Sequence, residues 1–174
     1  MAKVVTGKVR FSYAHVFTPH AIEEGQEPKY SVSIIIPKKD KKTIAKIREE
    51  IEKLTKEFLQ AKGLTKLPAK FYIPLRDGDE EREDDPAYAN SMFLGASSKR
   101  KPQIVDDSVQ PIIDSDEFYS GCYGRASINL FLFDKAGNKG IGVGLNNLQK
   151  LEDGERLGGG STAEEDFGSE DSDW

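Results

Sequence analysis

The feature that most constrains this fold is a pair of long β-type segments in the second half of the chain. Residues 122–134 read CYGRASINLFLFD, residues 139–148 read KGIGVGLNNL, and a four-residue link, KAGN, joins them. A short link that contains Gly and Asn is typical of a β-hairpin. Every second residue of the first segment is apolar over Ala126, Ile128, Leu130 and Leu132. This alternation predicts a strand with one buried face, in a fold dominated by β-sheet.

Further β-type segments precede the hairpin. The longest covers Val4–Phe17, where Val9, Phe11 and Tyr13 share one predicted face and Gly7 is a candidate bulge. Pro74 restricts its own segment to a sheet edge or a strand end, because proline cannot donate to a ladder. The shorter β-type segments are Tyr30–Ile36, Phe71–Leu75 and Met92–Ser97, and they are followed by two short apolar pieces, Gln103–Val105 and Gln110–Ile113, separated by an acidic turn.

One segment has helical periodicity. Asp40 is the expected N-cap and Gly63 the expected end of a helix. Between them, apolar residues recur every three or four positions, at Ile44, Ile47, Ile51, Leu54 and Phe58. We therefore predict a mainly β protein, an OB-fold-like small β-barrel with one inserted α-helix. A meander sandwich would give a similar pattern, and the sequence leaves this alternative open.

Charge is distributed unevenly along the chain. The chain has 25 Lys and Arg against 30 Asp and Glu, but residues 152–174 contain nine of those acids and one of those bases. Residues 1–151 therefore hold 24 bases and 21 acids, a net charge of plus three. We expect residues 1–151 to form one domain and residues 152–174 to form a flexible, disordered acidic tail. A basic body beside an acidic tether suggests that the body binds a polyanion.

Composition argues against several classes of protein. Cys122 is the only cysteine, so an intrachain disulfide is excluded and a cytoplasmic location is expected. No apolar run approaches the roughly 20 residues that a membrane span needs. The two histidines, His15 and His20, have no cysteine cluster beside them, so we expect neither a metal site nor a cofactor.

The acidic run Asp77–Asp85 lacks the spacing of a calcium loop, and we expect it to be a solvated loop. We identify no catalytic residues and expect a protein that is not an enzyme. A metal-dependent nuclease that uses this acidic run is an alternative, which degradation of single strands in magnesium would reveal.

Tyrosines and cations occur together on several predicted strand faces, as where Arg76 follows Tyr72. Bases of single-stranded nucleic acid stack on such rings at about 1 to 3 kcal/mol each, while cations neutralise the phosphates. Phe11, Phe131 and Phe133 are expected in the core. The predicted DNA-binding residues are Lys8, Arg10, Tyr13, Tyr72, Lys99, Arg100, Lys101, Tyr119, Tyr123, Arg125 and Lys139.

The glycines of GIGVG, residues 140–144, lie inside a predicted strand and lack the spacing of a dinucleotide-binding fingerprint. Glycines in a strand indicate bulges, tight barrel curvature or a backbone that another chain approaches closely. The last of these would suit a nucleic-acid groove.

Several of six sequence blocks within residues 6–159 are long enough to be specific. The blocks are TGKVRFSY, SIIIPKKD, PLRDGDEE, FLGASSKRKPQIVD, YSGCYGRASINLFLFD and GNKGIGVGLNNLQKLEDGERLGG. Together they resemble a family of phage-encoded single-stranded-DNA-binding proteins with an OB fold. The resemblance implies a replication protein that coats unwound DNA without strong sequence preference.

The same resemblance implies a role for the tail, because members of this family tend to end in an acidic segment closed by an aromatic residue. Such tails recruit polymerase, helicase or other replication partners, and we expect this tail also to compete with DNA for the groove. The alternative is a recombination mediator that anneals strands or loads a partner. The sequence also leaves open whether the protein forms a homodimer. The predicted tail contacts are Glu164, Glu165, Asp166, Phe167, Glu170, Asp171, Asp173 and Trp174.

Overall fold

The computed structural model of the chain describes residues 2–21 and 24–157. All eight predicted tail contacts, from Glu164 to Trp174, lie outside the described residues. The helices and strands, in chain order, are β1 (Ala2–Val5), β2 (Val9–His20), β3 (Lys29–Pro37), α1 (Lys41–Lys62), β4 (Arg76–Asp77), α2 (Gly78–Glu81), a 3-10 turn (Pro86–Tyr88), β5 (Ser91–Ser98), β6 (Gln103–Val105), β7 (Tyr123–Lys135) and β8 (Asn138–Glu152).

Five of the described strands close into a ring. β7 pairs with β2, β2 with β3, β3 with β5, β5 with β8, and β8 with β7. The pairing of β5 with β8 is parallel and the other four are antiparallel. A closed five-stranded barrel of this kind is the architecture of the OB fold, so the predicted fold class is confirmed. β1, β4 and β6 add to the barrel at the margins of β7, β5 and β8.

The hairpin of β7 and β8 follows the alternation in its sequence. Ala126, Ile128 and Leu130 are buried in the core, as predicted. The turn is shorter than the four-residue link, because Lys135 already pairs with Asn138. Its two central residues, Ala136 and Gly137, have φ of 52° and 84°. Two positive φ angles in a two-residue loop match the right-handed twist of the strands.

Helix α1 packs one apolar stripe against the barrel, with Ile44, Ile47 and Phe58 buried in the same core. The Asp40 side chain accepts a hydrogen bond from the Thr43 backbone N–H, and Gly63 ends the helix with a left-handed φ of 65°. Both predicted helix boundaries are confirmed. No helix in the described part of the chain is both long and apolar enough to cross a membrane.

The N-terminal segment differs from its prediction in two places. It forms two strands, β1 and β2, with a break at Gly7. A Cβ on Gly7 would lie 2.6 Å from the Asp40 carboxylate, so close packing against the helix start explains this glycine. The bulge lies further on, where Tyr13 has a φ of 47° and the register shifts after Ser12. The bulge turns Tyr13 outward, so the expectation that it lies on the same face as Phe11 is wrong.

The expected strand Phe71–Leu75 is reduced to one bridge, between Tyr72 and Gly140. The acidic run that follows is exposed over residues 79–84, as expected, but residues 76–90, here called the acidic segment, are anchored to the outside of the barrel. Tyr88 is fully buried and packs against Ile35 and Phe93, and its hydroxyl lies 3.0 Å from the Ser33 hydroxyl. This small second core gives the acidic segment a fixed position.

Candidate nucleic-acid interface

One outer face of the barrel has a floor of small side chains. Ser12 of β2 pairs with Ser33 of β3, which pairs with Gly95 of β5, so the three form a row across three strands. Paired residues of neighbouring strands point to the same side of a sheet. The alternate residues, including Ile34 and Leu94, point into the core. We call the surface above this row the groove.

The next row of the same face continues the groove floor. His15 pairs with Ser31, Ser31 with Ser97, and Ser97 with Gly144 of β8. The His15 ring stacks on the His20 ring at a centroid distance of 4.2 Å. Burial, and secondarily the neighbouring His20, lowers the pKa of His15 below the usual 6.5, so His15 is mostly neutral at pH 7.

Two arginine–tyrosine pairs flank the groove. The Arg82 guanidinium lies 5.5 Å from the ring centroid of Tyr13, and the Arg76 guanidinium lies 5.0 Å from that of Tyr72. Tyr13 is 51% exposed and Tyr72 is 40% exposed, whereas large rings that serve packing alone are usually buried. A guanidinium beside an aromatic ring keeps its charge and its hydrogen-bond donors. Each pair therefore offers a stacking surface together with a cation.

A cleft of about 280 Å³ opens between the groove floor and the acidic segment. Its base includes the side chain of Phe93, which is 8% exposed, and the open Cα of Gly95. A Cβ added to Gly95 would meet no atom within 4 Å. The cleft thus combines an apolar base with charged walls. Its lining residues are Tyr72, Pro74, Arg76, Glu81, Arg82, Phe93 and Gly95.

Tyr72 is held in place by strand β8. The Tyr72 N–H donates to the Lys139 carbonyl, and the Ile141 N–H donates to the Tyr72 carbonyl, both at 2.9 Å. A Cβ on Gly140 would lie 2.6 Å from the Tyr72 carbonyl oxygen. The close approach that explains this glycine is therefore made by the protein's own backbone, and nucleic acid is not needed to account for it.

The remaining glycines of GIGVG make room for side chains of β7. A Cβ on Gly142 would lie 2.7 Å from the Phe131 ring, and one on Gly144 would lie 2.9 Å from the Asn129 side chain. Phe131 and Phe133 are only partly buried and share the outer face with Asn129, since the alternate residues Ile128 and Leu130 fill the core. The expectation that both phenylalanines lie in the core is wrong.

The acidic segment positions Arg82. This guanidinium lies 5.3 Å from the ring centroid of Tyr88 and 5.7 Å from that of Phe93, in addition to Tyr13. The Tyr88 and Phe93 rings meet edge to face at 5.0 Å. Arg82 is not among the DNA-binding residues predicted from the sequence, where its signal is an arginine inside an otherwise acidic run.

Ion pairs occupy several carboxylates of the acidic segment. Lys38 donates to Asp77 at 3.0 Å and to Asp79 at 2.8 Å. These hydrogen bonds from Lys38 are the main reason that the pKa of each carboxyl lies below its usual 3.8. Glu81 accepts from Arg76 at 2.8 Å. Part of the negative charge beside the groove is therefore neutralised within the protein.

Lys8 and Arg10 lie beside Tyr123 rather than beside Tyr13, with their cations 5.5 and 5.3 Å from the Tyr123 ring centroid. We call these three residues the Tyr123 cluster. Both cations also have partners within the fold, because Lys8 pairs with Glu152 and Arg10 donates to backbone carbonyls of Gly121 and Glu155. The cluster reaches the groove along β2, where Arg10 lies two residues before Ser12.

Two other predicted DNA-binding residues, Tyr119 and Arg125, form hydrogen bonds within the fold. The Tyr119 hydroxyl donates to Asp153 at 2.8 Å, and burial, followed by this bond, raises the pKa of Tyr119 above its usual 10.0. Arg125 donates through Nε to the Thr6 carbonyl at 2.9 Å. Tyr119 thereby fixes the chain where it leaves β8, and Arg125 ties β7 to the loop before β2.

The other predicted cations lie towards the margins of the groove. Lys99, Arg100 and Lys101 follow the end of β5, where Lys99 pairs with Glu27 at 3.2 Å and Lys101 lies 5.2 Å from the Phe17 ring. Lys139 pairs across the hairpin with Asp134, next to the bridge at Tyr72. Within residues 2–21 and 24–157, no group of three or more His, Cys, Asp or Glu is arranged to hold a metal ion.

The sequence and structure match phage proteins over nearly their full lengths. The sequence model of a family described as "Enterobacter phage Enc34, ssDNA-binding protein" matches residues 2–174. Protein p50 of Acyrthosiphon pisum secondary endosymbiont phage 1 is 30% identical over 169 residues, which is 92% of this chain and 89% of p50.

Two solved structures have a similar fold. The single-stranded DNA-binding protein from bacteriophage Enc34 in complex with ssDNA superposes with a TM-score of 0.77 at 27% identity, covering 90% of this chain and 89% of that one. Bacteriophage T7 gp2.5, a single-stranded DNA-binding protein, has a TM-score of 0.63 at 14% identity, covering 99% and 97%. At that identity, the T7 comparison supports the fold alone.

Proposed function

Because the chain belongs to the family of the Enterobacter phage Enc34 single-stranded-DNA-binding protein, we propose that it binds single-stranded DNA along the groove without catalysis. The observation that carries this proposal is the pair of exposed rings, Tyr13 and Tyr72, each beside an arginine and on either side of a floor of small residues. Bases stack on the rings, and phosphates pair with the cations. In an OB fold, the face built by the second and third barrel strands, here β3 and β5, is the face that binds oligonucleotides.

The proposed path of the DNA strand follows the same face of the barrel. From the cleft beside Tyr72, the DNA passes over Gly95 and Ser33 to Tyr13 and Arg82. The marginal cations Lys99 to Lys101 serve phosphates at one end. The Tyr123 cluster is a secondary flank, because Lys8 and Arg10 already have partners within the fold.

Fluorescence anisotropy with labelled oligo(dT) tests this proposal. The logarithm of the affinity should fall with the logarithm of the salt concentration, with a slope of about 0.7 per phosphate neutralised. Tyr72→Ala should weaken binding by about 1 to 3 kcal/mol, and Tyr123→Ala should weaken it less. An affinity that does not depend on the salt concentration would refute this proposal. So would an equal loss of affinity of Tyr72→Ala for a duplex of the same length, because it would argue against stacking in the groove.

We further propose that the protein coats unwound DNA during phage replication and recombination, and that its tail contacts polymerase, helicase or other replication partners. The support is the charge of the sequence, since nine acids and one base follow Leu151 while residues 1–151 are net basic. Deletion of residues 164–174 should raise the affinity for oligo(dT) at low salt and abolish partner recruitment. An unchanged affinity would mean that the tail does not compete for the groove. Faster annealing of complementary strands would support the strand-annealing alternative.

A further inference from the structure

The Glu81 carboxylate lies in the cleft where the proposed function places single-stranded DNA, which is itself negatively charged. Its side chain is 41% exposed and lines the cleft together with Arg76 and Arg82. A carboxylate beside a phosphate path weakens binding by repulsion. Its ion pair with Arg76 offsets part of this repulsion, and any carboxylate oxygen lone pairs that Arg76 does not use can accept hydrogen bonds from the ligand.

The Arg76–Glu81 pair presents a donor and an acceptor side by side. Arg76 Nη1 donates to Glu81 Oε1 at 2.8 Å, while the same guanidinium lies over Tyr72. A carboxylate has two oxygens and about four lone-pair sites, and a guanidinium has five N–H donors. The pair can therefore stay intact and still hydrogen-bond a ligand.

An unpaired base is the ligand that this arrangement fits. Its flat ring suits the apolar base of the cleft at Phe93, and its Watson–Crick edge carries donors and acceptors next to each other. Guanine fits best, because its N1–H and N2–H can both donate to one carboxylate while its O6 accepts from Arg76. The other bases have fewer donors on this edge. In a duplex the edge is hidden, so the contact also excludes paired DNA.

We propose that Glu81 and Arg76 read the Watson–Crick edge of one unstacked base in the cleft, with guanine preferred at that position. This inference rests on the proposed function, and it adds a base preference at one position to a groove that is otherwise unspecific. Glu81 is its specificity-determining residue.

The test compares two oligonucleotides that differ by one exocyclic amine. One repeats dT-dT-dG, and the other repeats dT-dT with deoxyinosine, which lacks the N2 amine of guanine; isolated guanines avoid quadruplexes. The wild-type protein should bind the guanine oligonucleotide about 5-fold more tightly, the low end of the range for base-specific hydrogen bonds. Glu81→Gln should bring the two affinities close to equality.

Glu80→Gln is the matched control. Glu80 lies beside Glu81 on α2 and does not line the cleft, so its substitution makes the same charge change and should leave the guanine preference intact. Circular dichroism confirms that both variants are folded. Equal wild-type affinities, or a preference that survives Glu81→Gln, would overturn the inference and leave the proposed function standing. Failure to bind either oligonucleotide would overturn both.

Discussion

Substitution of Gly95 by valine fills the groove without disturbing the barrel. Gly95 has no left-handed φ, and a Cβ at this position meets no atom within 4 Å. The new side chain therefore extends into the space above the floor, between Ser33 and the cleft. Valine also favours a strand more than glycine does, by about 0.5 to 1 kcal/mol. The variant should be at least as stable as the wild type.

The expected loss of affinity follows from the stacking that valine prevents. The isopropyl group occupies part of a cleft of about 280 Å³ and keeps one base from lying against Phe93 and Tyr72. One lost base contact costs about 1 to 3 kcal/mol, or roughly 5- to 150-fold in affinity. Because no charge changes, the salt slope should stay the same.

Anisotropy titrations with oligo(dT) and a thermal melt measure these two effects separately. Ser127→Val is the matched control, since Ser127 is a small residue of β7 that pairs with Asn147 and does not line the cleft. The control should bind as the wild type does. If Gly95→Val binds normally, DNA does not cross the floor at Gly95 and the groove is wrongly placed.

Three further predictions follow from the contacts of the groove and the acidic segment. Arg82→Gln should weaken DNA binding and lower the salt slope by about 0.7, the value for one phosphate contact on a single strand. Arg48→Gln on α1 is the control and should change neither the affinity nor the slope. Equal slopes in titrations of the two variants would show that Arg82 contacts no phosphate. Tyr88→Phe should lower the free energy of unfolding by about 1 kcal/mol, because the ring stays and the bond to Ser33 is lost; an unchanged urea midpoint would contradict this. Since the pKa values of Asp77 and Asp79 are lowered in the fold, their stabilising contribution is present above pH 3.8 and lost as the pH falls through the folded values. The protection of amides 77–90 against hydrogen exchange, measured relative to unfolded peptides at the same pH, should decrease as the pH falls through that acidic range, and a Lys38→Met variant should lose this dependence.

Local sequence signals were sufficient for helix α1 and for the hairpin of β7 and β8, whereas they did not distinguish a barrel from a meander sandwich. The spacing from Ile44 to Phe58 and the residues Asp40 and Gly63 predicted α1 with its boundaries, because helix caps depend on neighbouring residues. The alternation along β7 predicted its buried face, since side chains alternate strictly along a strand.

The groove could not be predicted from local sequence, because it is built by contacts between distant parts of the chain. The bulge that exposes Tyr13 arises in the pairing of β2 with β3, and no residue near Tyr13 in the sequence predicts it. Tyr88 joins Ile35 and Phe93 in a core outside the barrel, so the exposed acidic run is held at a fixed position beside the groove. Arg82 reaches the groove only because this position is fixed.

Amide chemical shifts recorded during titration with unlabelled oligo(dT) test the location of the groove most directly. The largest changes should fall on Tyr13, Ser33, Tyr72 and Gly95, with smaller ones at Tyr123. Changes concentrated at Lys8 and Tyr123, with the Gly95 amide unmoved, would contradict this location.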